Sequence, residues 1–462
     1  MFDLQTYVAR RQRLRSDVSS GIILLPGNED SPMNFADNPY PFRQDSSFLY
    51  FFGLDDPGLI GLIDIDEGHQ VVFGGDVTMD QVIWMGPKPS LKEKCESVGI
   101  LESRSTEKLA SVLNAALDNG RPVHFLPQYR TRNVLRLQHL LNIEPDAVVR
   151  NASVELIKAV VAQRSVKSAQ EVEQIQQAVD ITARMHLTAM QQTMPGVYER
   201  QVVAAMEAVA RSEDVLLSFP TIFSVDGQTL HNHYHGNMMQ DGDIAVNDSG
   251  AESVLHYAGD ITRTMPVGGK FSTMQREVYD IVLGSLRQAT RAVRPGVEFR
   301  DVHRLASEVL ASGLQSIGLM KGDPRQAVEA GAHTLFFQCG VGHMLGLDVH
   351  DMDPLGEDYV GYTDTIKRNP AFGWRSLRLA RALEPGFVVT IEPGLYFIPE
   401  LIDRWKAEHK HEQFIDYARL EAYREFGGVR IEDDVLVTDS GARVLSDAIP
   451  RTTEDVEAAC SR

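Results

Sequence analysis

Cysteine is scarce in this chain: Cys95, Cys339 and Cys460 are the only three in 462 residues. Thiols so few and so widely spaced exclude a disulfide framework and fit a reducing compartment. Long apolar runs are missing too, and no stretch approaches the roughly 18–20 residues needed to span a bilayer. The N-terminal MFDLQTYVARRQRLRS has no apolar segment behind its charges, so it does not read as a secretory signal. Basic charge is in deficit, with 45 Lys+Arg against 64 Asp+Glu and a net charge of −19. Nucleic acid and anionic membranes both require a basic face, so neither is an expected partner. What remains is an ordinary globular composition, 43% apolar and 24% charged, which excludes disorder. The length allows about two or three domains. A soluble, cytoplasmic, multi-domain protein is the expectation.

The first part of the chain reads as alternating short strands and helices. GIILLPG (21–27), SFLYFFGL (47–54), LIGLIDID (59–66) and QVVFGG (70–75) are apolar or β-rich runs ended by Gly, Pro or Asp, which predicts strands. Residues 101–119 and 132–143 carry helical apolar spacing. These elements predict an α/β domain over 1–160, followed by a second domain over 161–462. The second opens with a helix start: Ser168 and Glu171 form an S-x-x-E capping box before an amphipathic stretch that ends ahead of Pro195-Gly196.

An internal repeat follows at an offset of 100 residues. PGVYERQVVAAMEAVARS (195–212) matches PGVEFRDVHRLASEVLAS (295–312), including Pro195/Pro295, Gly196/Gly296, Arg200/Arg300 and Val209/Val309. A Pro-Gly break is common punctuation between helices, but the ungapped match favours duplication. Two related half-domains facing each other would leave a cleft at their junction, a usual place for a ligand.

Four constellations carry chemistry. In AVNDSGAESVLHYAGDITRTM, Asp248 and Asp260 flank a Gly-containing turn between β-like stretches, so a hairpin would set the two carboxylates side by side. Standing alone they would be ordinary turn aspartates. HTLFFQCGVGHMLGLDVHD places His343 and His350 in a Gly-rich stretch that lets backbone approach a site, although a lone His is more often a structural hydrogen-bonder. Glu392 ends the β-branched run FVVTI ahead of a Pro-Gly turn, where a buried carboxylate is costly unless paired or metal-bound. In GGVRIEDDVLV, strand alternation puts Arg430 and Glu432 on one side. Four carboxylates and one or two imidazoles cannot stay ionised together in a low-dielectric cleft without cations. Divalent metals with oxygen and imidazole ligands resolve the conflict.

These motifs resemble the pita-bread metallopeptidases, the family of prolidase, aminopeptidase P and methionine aminopeptidase, over nearly the whole chain. FRQDSSFLYFFGL (42–54) and VIWMG (82–86) resemble the N-terminal domain that prolidase and aminopeptidase P share. The implied fold is α/β (α+β): an N-terminal creatinase-like α/β domain, then a C-terminal pita-bread catalytic domain with a pseudo-twofold repeat. The resemblance implies two divalent ions per chain, Mn²⁺ first and Co²⁺ or Zn²⁺ as alternatives, held by Asp248, Asp260, His343, Glu392 and Glu432. Asp260 and Glu432 would bridge the pair. It implies Glu392 as the group that takes a proton from the attacking water, His350 as a substrate-stabilising histidine, and Arg430 as the residue orienting Asp248 or Glu432. Xaa-Pro bonds of di- or oligopeptides are the implied substrate, and a homodimer is the expected assembly.

Two departures stand out. The Asp248–Asp260 spacing is one residue longer than the common pattern. Related sequences read H-G-x-x-H where this chain has Cys339-Gly-Val-Gly-His343, which puts a thiol where a substrate-contacting imidazole is usual. The other substrate histidine of the family matches His231 by ungapped alignment or His233 by its His-Tyr pair. WRSLRLARALEPG (374–386) resembles the prolidase segment whose Arg, here Arg378, binds the free proline carboxylate, and the long stretch from Glu392 to Glu432 is also prolidase-like. An Xaa-Pro dipeptidase is therefore expected, with Xaa-Pro aminopeptidase as the alternative and a non-catalytic binding module as the distant one.

Overall fold

Ile22–Pro26 (β1) is buried at every position and pairs antiparallel with Ile60–Asp64 (β2). Gln70–Gly74 (β3) pairs antiparallel with β2, while Glu102–Ser105 (β4) joins β3 and Val123–His124 (β5) joins β1, both in parallel. The five-stranded order is β4-β3-β2-β1-β5. Alternate residues of three strands (Ile22, Leu24, Ile60, Leu62, Val71 and Phe73) pack on Leu109 and Leu113 of the helix Leu109–Asp118 and on Leu137 of the helix Thr131–Leu141.

Two sequence expectations need correction here. Ser46–Phe52, read as part of a strand, is a helix: Asp45 caps it by accepting the Phe48 N–H at 2.9 Å, and Gly53 ends it in the left-handed region at φ 63°. All seven helical residues are buried, so the run carries no periodicity to distinguish it from a strand. The helix expected over 101–119 begins only at Leu109, because Glu102–Ser105 is recruited into the sheet by pairing with β3.

The computed structural model describes residues 1–461 and divides into two compact units, Met1–Arg164 with Asp353–Tyr359, and Ser165–Met352 with the chain from Val360 onward. The second unit opens with the helix Ala169–Gln192, where Ser168 and Glu171 form the reciprocal capping box at 3.3 and 3.0 Å. Gly196 (φ 83°) and Gly296 (φ 80°) make equivalent left-handed turns, and each leads into a helix, Glu199–Ser212 and Phe299–Ser316. Each half also supplies a three-stranded sheet. The first is Ile222–Ser224 (β6), Ile244–Ser249 (β7) and Ile261–Pro266 (β8), in the order β6-β7-β8. Val388–Ile391 (β9) belongs to the second; Gly394–Tyr396 (β10) and Gly428–Arg430 (β11) form a separate antiparallel pair. Asp433–Val437 (β12) lies between β9 and Ala442–Val444 (β13). This repeated arrangement is the pita-bread architecture. Among the described residues, no helix is long and apolar enough to cross a membrane.

The halves are sewn together where the carboxylates lie. Thr264 Oγ1 donates to the Arg430 carbonyl at 3.0 Å, and the Glu432 N–H donates to the Thr262 carbonyl at the same distance. The 341–345 stretch runs so close to β9 that a Cβ on Gly342 would fall 2.0 Å from the Thr390 carbonyl oxygen.

Candidate metal centre

Four strand ends deliver the acidic groups. Asp248 sits on β7 opposite Thr262 of β8, and Asp260 immediately precedes β8. Their connecting turn closes at the Glu252↔Ala258 bridge, with His256 at φ 66° accommodating the longer spacing. Glu392 follows β9 and Glu432 precedes β12, and these strands pair antiparallel with Asp433 opposite Ile391. His343 is fixed beside them by two bonds to Thr390, Thr390 N to His343 O at 3.0 Å and His343 N to Thr390 Oγ1 at 3.1 Å.

The cluster is tight. His343 Nε2 lies 3.3 Å from Asp260 Oδ2 and 3.6 Å from Glu392 Oε1. Ligand atoms of Asp260, His343 and Glu432 all fall within 4.8 Å of one another. His343 Nδ1 is 3.0 Å from the Met344 carbonyl, which can only accept, so the neutral ring carries its proton there and turns the Nε2 lone pair toward the carboxylates. Thr262 Oγ1 donates to Glu432 Oε2 at 2.8 Å.

Electrostatics shows what the cluster lacks. Burial pushes the Glu392 carboxyl up to about 7, with Asp260 and Asp248 adding to the rise and His343 opposing it. Burial, then Asp248, raises Asp260; burial, then Asp260 and Glu392, raises Glu432. Asp248 Oδ1 is buried with no hydrogen-bond partner. Crowded oxygens, a correctly oriented imidazole and an orphaned carboxylate oxygen are the donor set of hard or borderline divalent cations, so these residues fit the metals that the resemblance implies.

A cavity of about 170 Å³ opens onto the cluster and is lined by Asp248, Asp260, His343, Glu392 and Glu432 together with His231, His233 and His350. The His343 and His350 rings meet edge to face at 4.2 Å. Burial, then Arg430, lowers the His231 pKa while Asp248 opposes the shift, which puts His231 within the field of the cluster. His233 instead has its Nδ1 3.4 Å from the Thr221 carbonyl. Arg430 stands behind the wall: Nη2 reaches Asp248 Oδ2 at 2.7 Å, Nε reaches Thr262 Oγ1 at 3.0 Å, and Nη1 reaches the Tyr396 hydroxyl at 2.8 Å.

Cys339 and Arg378 are not among the residues lining this cavity. The Cys339 thiol is pushed up to about 12 by burial and the Glu392 carboxylate, with Arg430 and Tyr396 near enough to oppose the shift. Arg378 is half-buried, with its carbonyl so close to Gly361 that a Cβ there would come within 1.8 Å. Its neighbours Ser376 and Leu377 back directly onto Gly340, which ties the Arg378 segment to the Cys339 loop.

Several participants were not singled out by sequence reasoning. Tyr396 lies in the EPGLYF run and anchors Arg430. Asp434 accepts the Asp260 N–H at 3.0 Å through Oδ2, while its Oδ1 is buried without a partner. The alternation that puts Glu432 on the cleft side also puts Asp434 there, so this signal was available. A larger cavity, about 670 Å³, lies in the N-terminal unit, where Asp56 pairs with Lys94 at 2.7 Å and Glu29 pairs with Arg132 and Arg136. Asp64, Glu67 and His69 form another acidic group, in which Arg121 already supplies the cation.

Comparison with known proteins gives this geometry a family. Residues 7–124 match the aminopeptidase P N-terminal domain and residues 173–439 match metallopeptidase family M24. The Xaa-Pro dipeptidase of Homo sapiens is 32% identical over 469 residues, covering 97% of this chain and 90% of that protein. The Xaa-Pro aminopeptidase of Escherichia coli (strain K12) is also 32% identical, over 466 residues, covering 98% and 97%. Among solved structures, zinc-substituted E. coli aminopeptidase P in complex with product superposes with a TM-score of 0.81 at 30% identity, covering 100% of this chain and 98% of that one. On fold, extent and similarity, the chain belongs to metallopeptidase family M24, with an aminopeptidase P-type N-terminal domain.

Proposed function

We propose that this chain is a dinuclear-metal peptidase that hydrolyses Xaa-Pro dipeptides. The observation that carries the metal reading is the convergence of Asp248, Asp260, His343, Glu392 and Glu432 on one cavity, with Asp248 Oδ1 left without a partner. These five residues would hold two divalent ions, Mn²⁺ being the proposed pair, and Asp260 and Glu432 would be shared between them. Such ions supply Lewis-acid polarisation of a carbonyl and activation of water near neutral pH. The remaining work falls to the chain itself. Glu392 can accept a proton on its carboxylate and pass it to the leaving imino nitrogen. His350, beside His343, and His231, near Asp248, present imidazoles to a bound peptide. Arg430 holds Asp248 in one orientation.

The dipeptidase assignment rests on the likeness of the Arg378 segment to prolidase: Arg378 stands outside the cavity wall, and its guanidinium would have to reach the free proline carboxylate to pair it bidentately. Relatives of both kinds stand at the same 32% identity, and this favours Xaa-Pro aminopeptidase as the second reading. The deciding experiment compares Ala-Pro with Ala-Pro-Ala on metal-stripped protein reloaded with Mn²⁺. Chelation should abolish hydrolysis and Mn²⁺ should restore it. Arg378→Ala should lower kcat/KM for the dipeptide by about 30- to 1000-fold, equivalent to about 2–4 kcal/mol, and barely affect the tripeptide. Equal cleavage of both peptides, equally reduced by Arg378→Ala, would replace the dipeptidase reading with the aminopeptidase one. Full activity without metal would remove both.

A further inference from the structure

The stretch between His343 and His350 is held from behind by a buried charge pair. Lys167 Nζ lies 2.9 Å from Asp351 Oδ2, and both side chains are 1% exposed. Lys167 directly precedes the Ser168 cap of the helix Ala169–Gln192, and its N–H donates to the Gly386 carbonyl at 2.8 Å. The ammonium is therefore placed by a well-anchored helix start. Asp351 follows His350. Its N–H donates to the Met344 carbonyl at 2.9 Å, the same oxygen that receives His343 Nδ1 at 3.0 Å. The turn closes so tightly on this carboxylate that a Cβ at Gly346 would fall 2.4 Å from Asp351 Oδ2.

Stability does not account for such a pair. Desolvating two charges consumes most of what their attraction returns, and a well-packed neutral pair serves a core at least as well. What the ion pair adds is direction. One end of the turn is fixed to β9, through Leu345 N to the Val388 carbonyl at 2.9 Å, and the other end is fixed by Lys167. The same helix start reaches the other site turn, where the Tyr257 hydroxyl donates to Glu171 at 3.0 Å.

We propose that Lys167 is a positioning residue: by clamping Asp351 it fixes the Met344 carbonyl, and thereby the ring orientation of His343 and the placement of His350. The inference rests on the reading of His343 as a metal ligand.

Lys167→Met alone takes this cation away from a buried carboxylate and can fail to fold. The informative variant is therefore Lys167→Met with Asp351→Asn, which removes both charges and keeps an oxygen for the Asp348 N–H. The readouts are thermal melting, Mn²⁺ affinity by competition with a chelator, the visible spectrum of the Co²⁺-loaded protein, and kcat and KM on Ala-Pro. The expected result is Mn²⁺ binding weakened about tenfold, an altered Co²⁺ spectrum, and kcat lowered about tenfold with KM nearly unchanged, the scale of loss typical when the partner that orients a metal ligand is removed. Lys167→Arg keeps the charge, but its longer forked head must displace Asp351, so a smaller loss of the same kind is expected. Wild-type Mn²⁺ affinity, Co²⁺ spectrum and kcat in whichever of these variants fold would overturn the proposal, whatever their melting temperatures. His343→Ala separates the two readings. If it leaves metal binding intact, the ligand assignment falls and the inference with it; if it weakens metal binding while the Lys167 variants do not, the inference alone falls.

Discussion

Arg430 neutralises one oxygen of Asp248 and leaves the other bare: Nη2 is 2.7 Å from Oδ2, while Oδ1 is buried without a partner. The guanidinium also donates to Thr262 Oγ1, the Tyr396 hydroxyl and, at 3.4 Å, the Leu230 carbonyl, so its plane is fixed and Oδ1 is left to the cluster. A carboxylate held this way presents a single, pre-aimed ligand atom.

Arg430→Lys should therefore do more than move a charge. An ammonium can reach Asp248 or Tyr396 but cannot reproduce the three-way fork. The expected outcome is a folded protein with metal affinity or kcat reduced about 10- to 100-fold. Metal titration of the variant, with activity measured at saturating Mn²⁺, separates lost affinity from lost turnover.

The clustered carboxylates should cost the apoprotein stability as pH rises. Glu392 titrates near 7 in the fold, and Asp260 and Glu432 are raised as well, in each case chiefly by burial. The buried His186, His303 and His333, held down to about 3, about 3 and about 4, act in the opposite sense. At these three carboxyls the folded apo state binds more protons than the unfolded chain, where they titrate near about 4. The stabilisation is complete below that pH and is lost as pH climbs through about 7. The metal-free melting temperature of Glu392→Gln should therefore rise relative to wild type between about pH 5 and about pH 8, and loading the wild-type protein with Mn²⁺ should release protons. A difference between the two melting temperatures that does not change with pH over this range would contradict the crowding of these carboxylates.

The candidate site was legible where local signals and chemistry coincide. Asp248, Glu392 and Glu432 terminate or interrupt β-rich runs, a poor place for a carboxylate unless something pairs it, and the structure brings all three to one cavity. The capping box at Ser168 was legible because its partners lie three residues apart. Contacts between distant segments left no such trace. Lys167 and Asp351 are 184 positions apart, and nothing local to either one announces the other. Ser46–Phe52 misled for the opposite reason: a helix buried on every side has no polar face, and its apolar run reads as a strand.

Glu199 should govern the loop that carries His231 and His233. Its buried carboxylate accepts from Val225 N at 2.9 Å, and from Ser224 Oγ, Asn237 N and Asn237 Nδ2 at 3.2 Å each, clasping both ends of that loop. Glu199→Gln replaces one acceptor with an amide NH₂ facing N–H donors. The expected cost is about 2 kcal/mol in a denaturant melt, together with a raised KM, because the loop loses its register.

Cys339 offers the clearest test of how far a family pattern transfers. The usual imidazole at this place would contact substrate, yet here the thiol is absent from the cavity wall and lies near Tyr396, the residue that anchors Arg430. With its pKa pushed up to about 12, it is a neutral group at any working pH. Cys339→His would place a larger ring, and a new titrating group, beside Glu392 and Arg430. Overpacking of that kind costs about 1–3 kcal/mol, which a thermal or denaturant melt would register. Cys339→Ser, nearly the same size and likewise uncharged, should leave stability, KM and the pH profile close to wild type. A folded Cys339→His protein of undiminished stability, with a changed KM or a shifted pH profile, would instead put position 339 in contact with substrate and make the thiol a functional substitution.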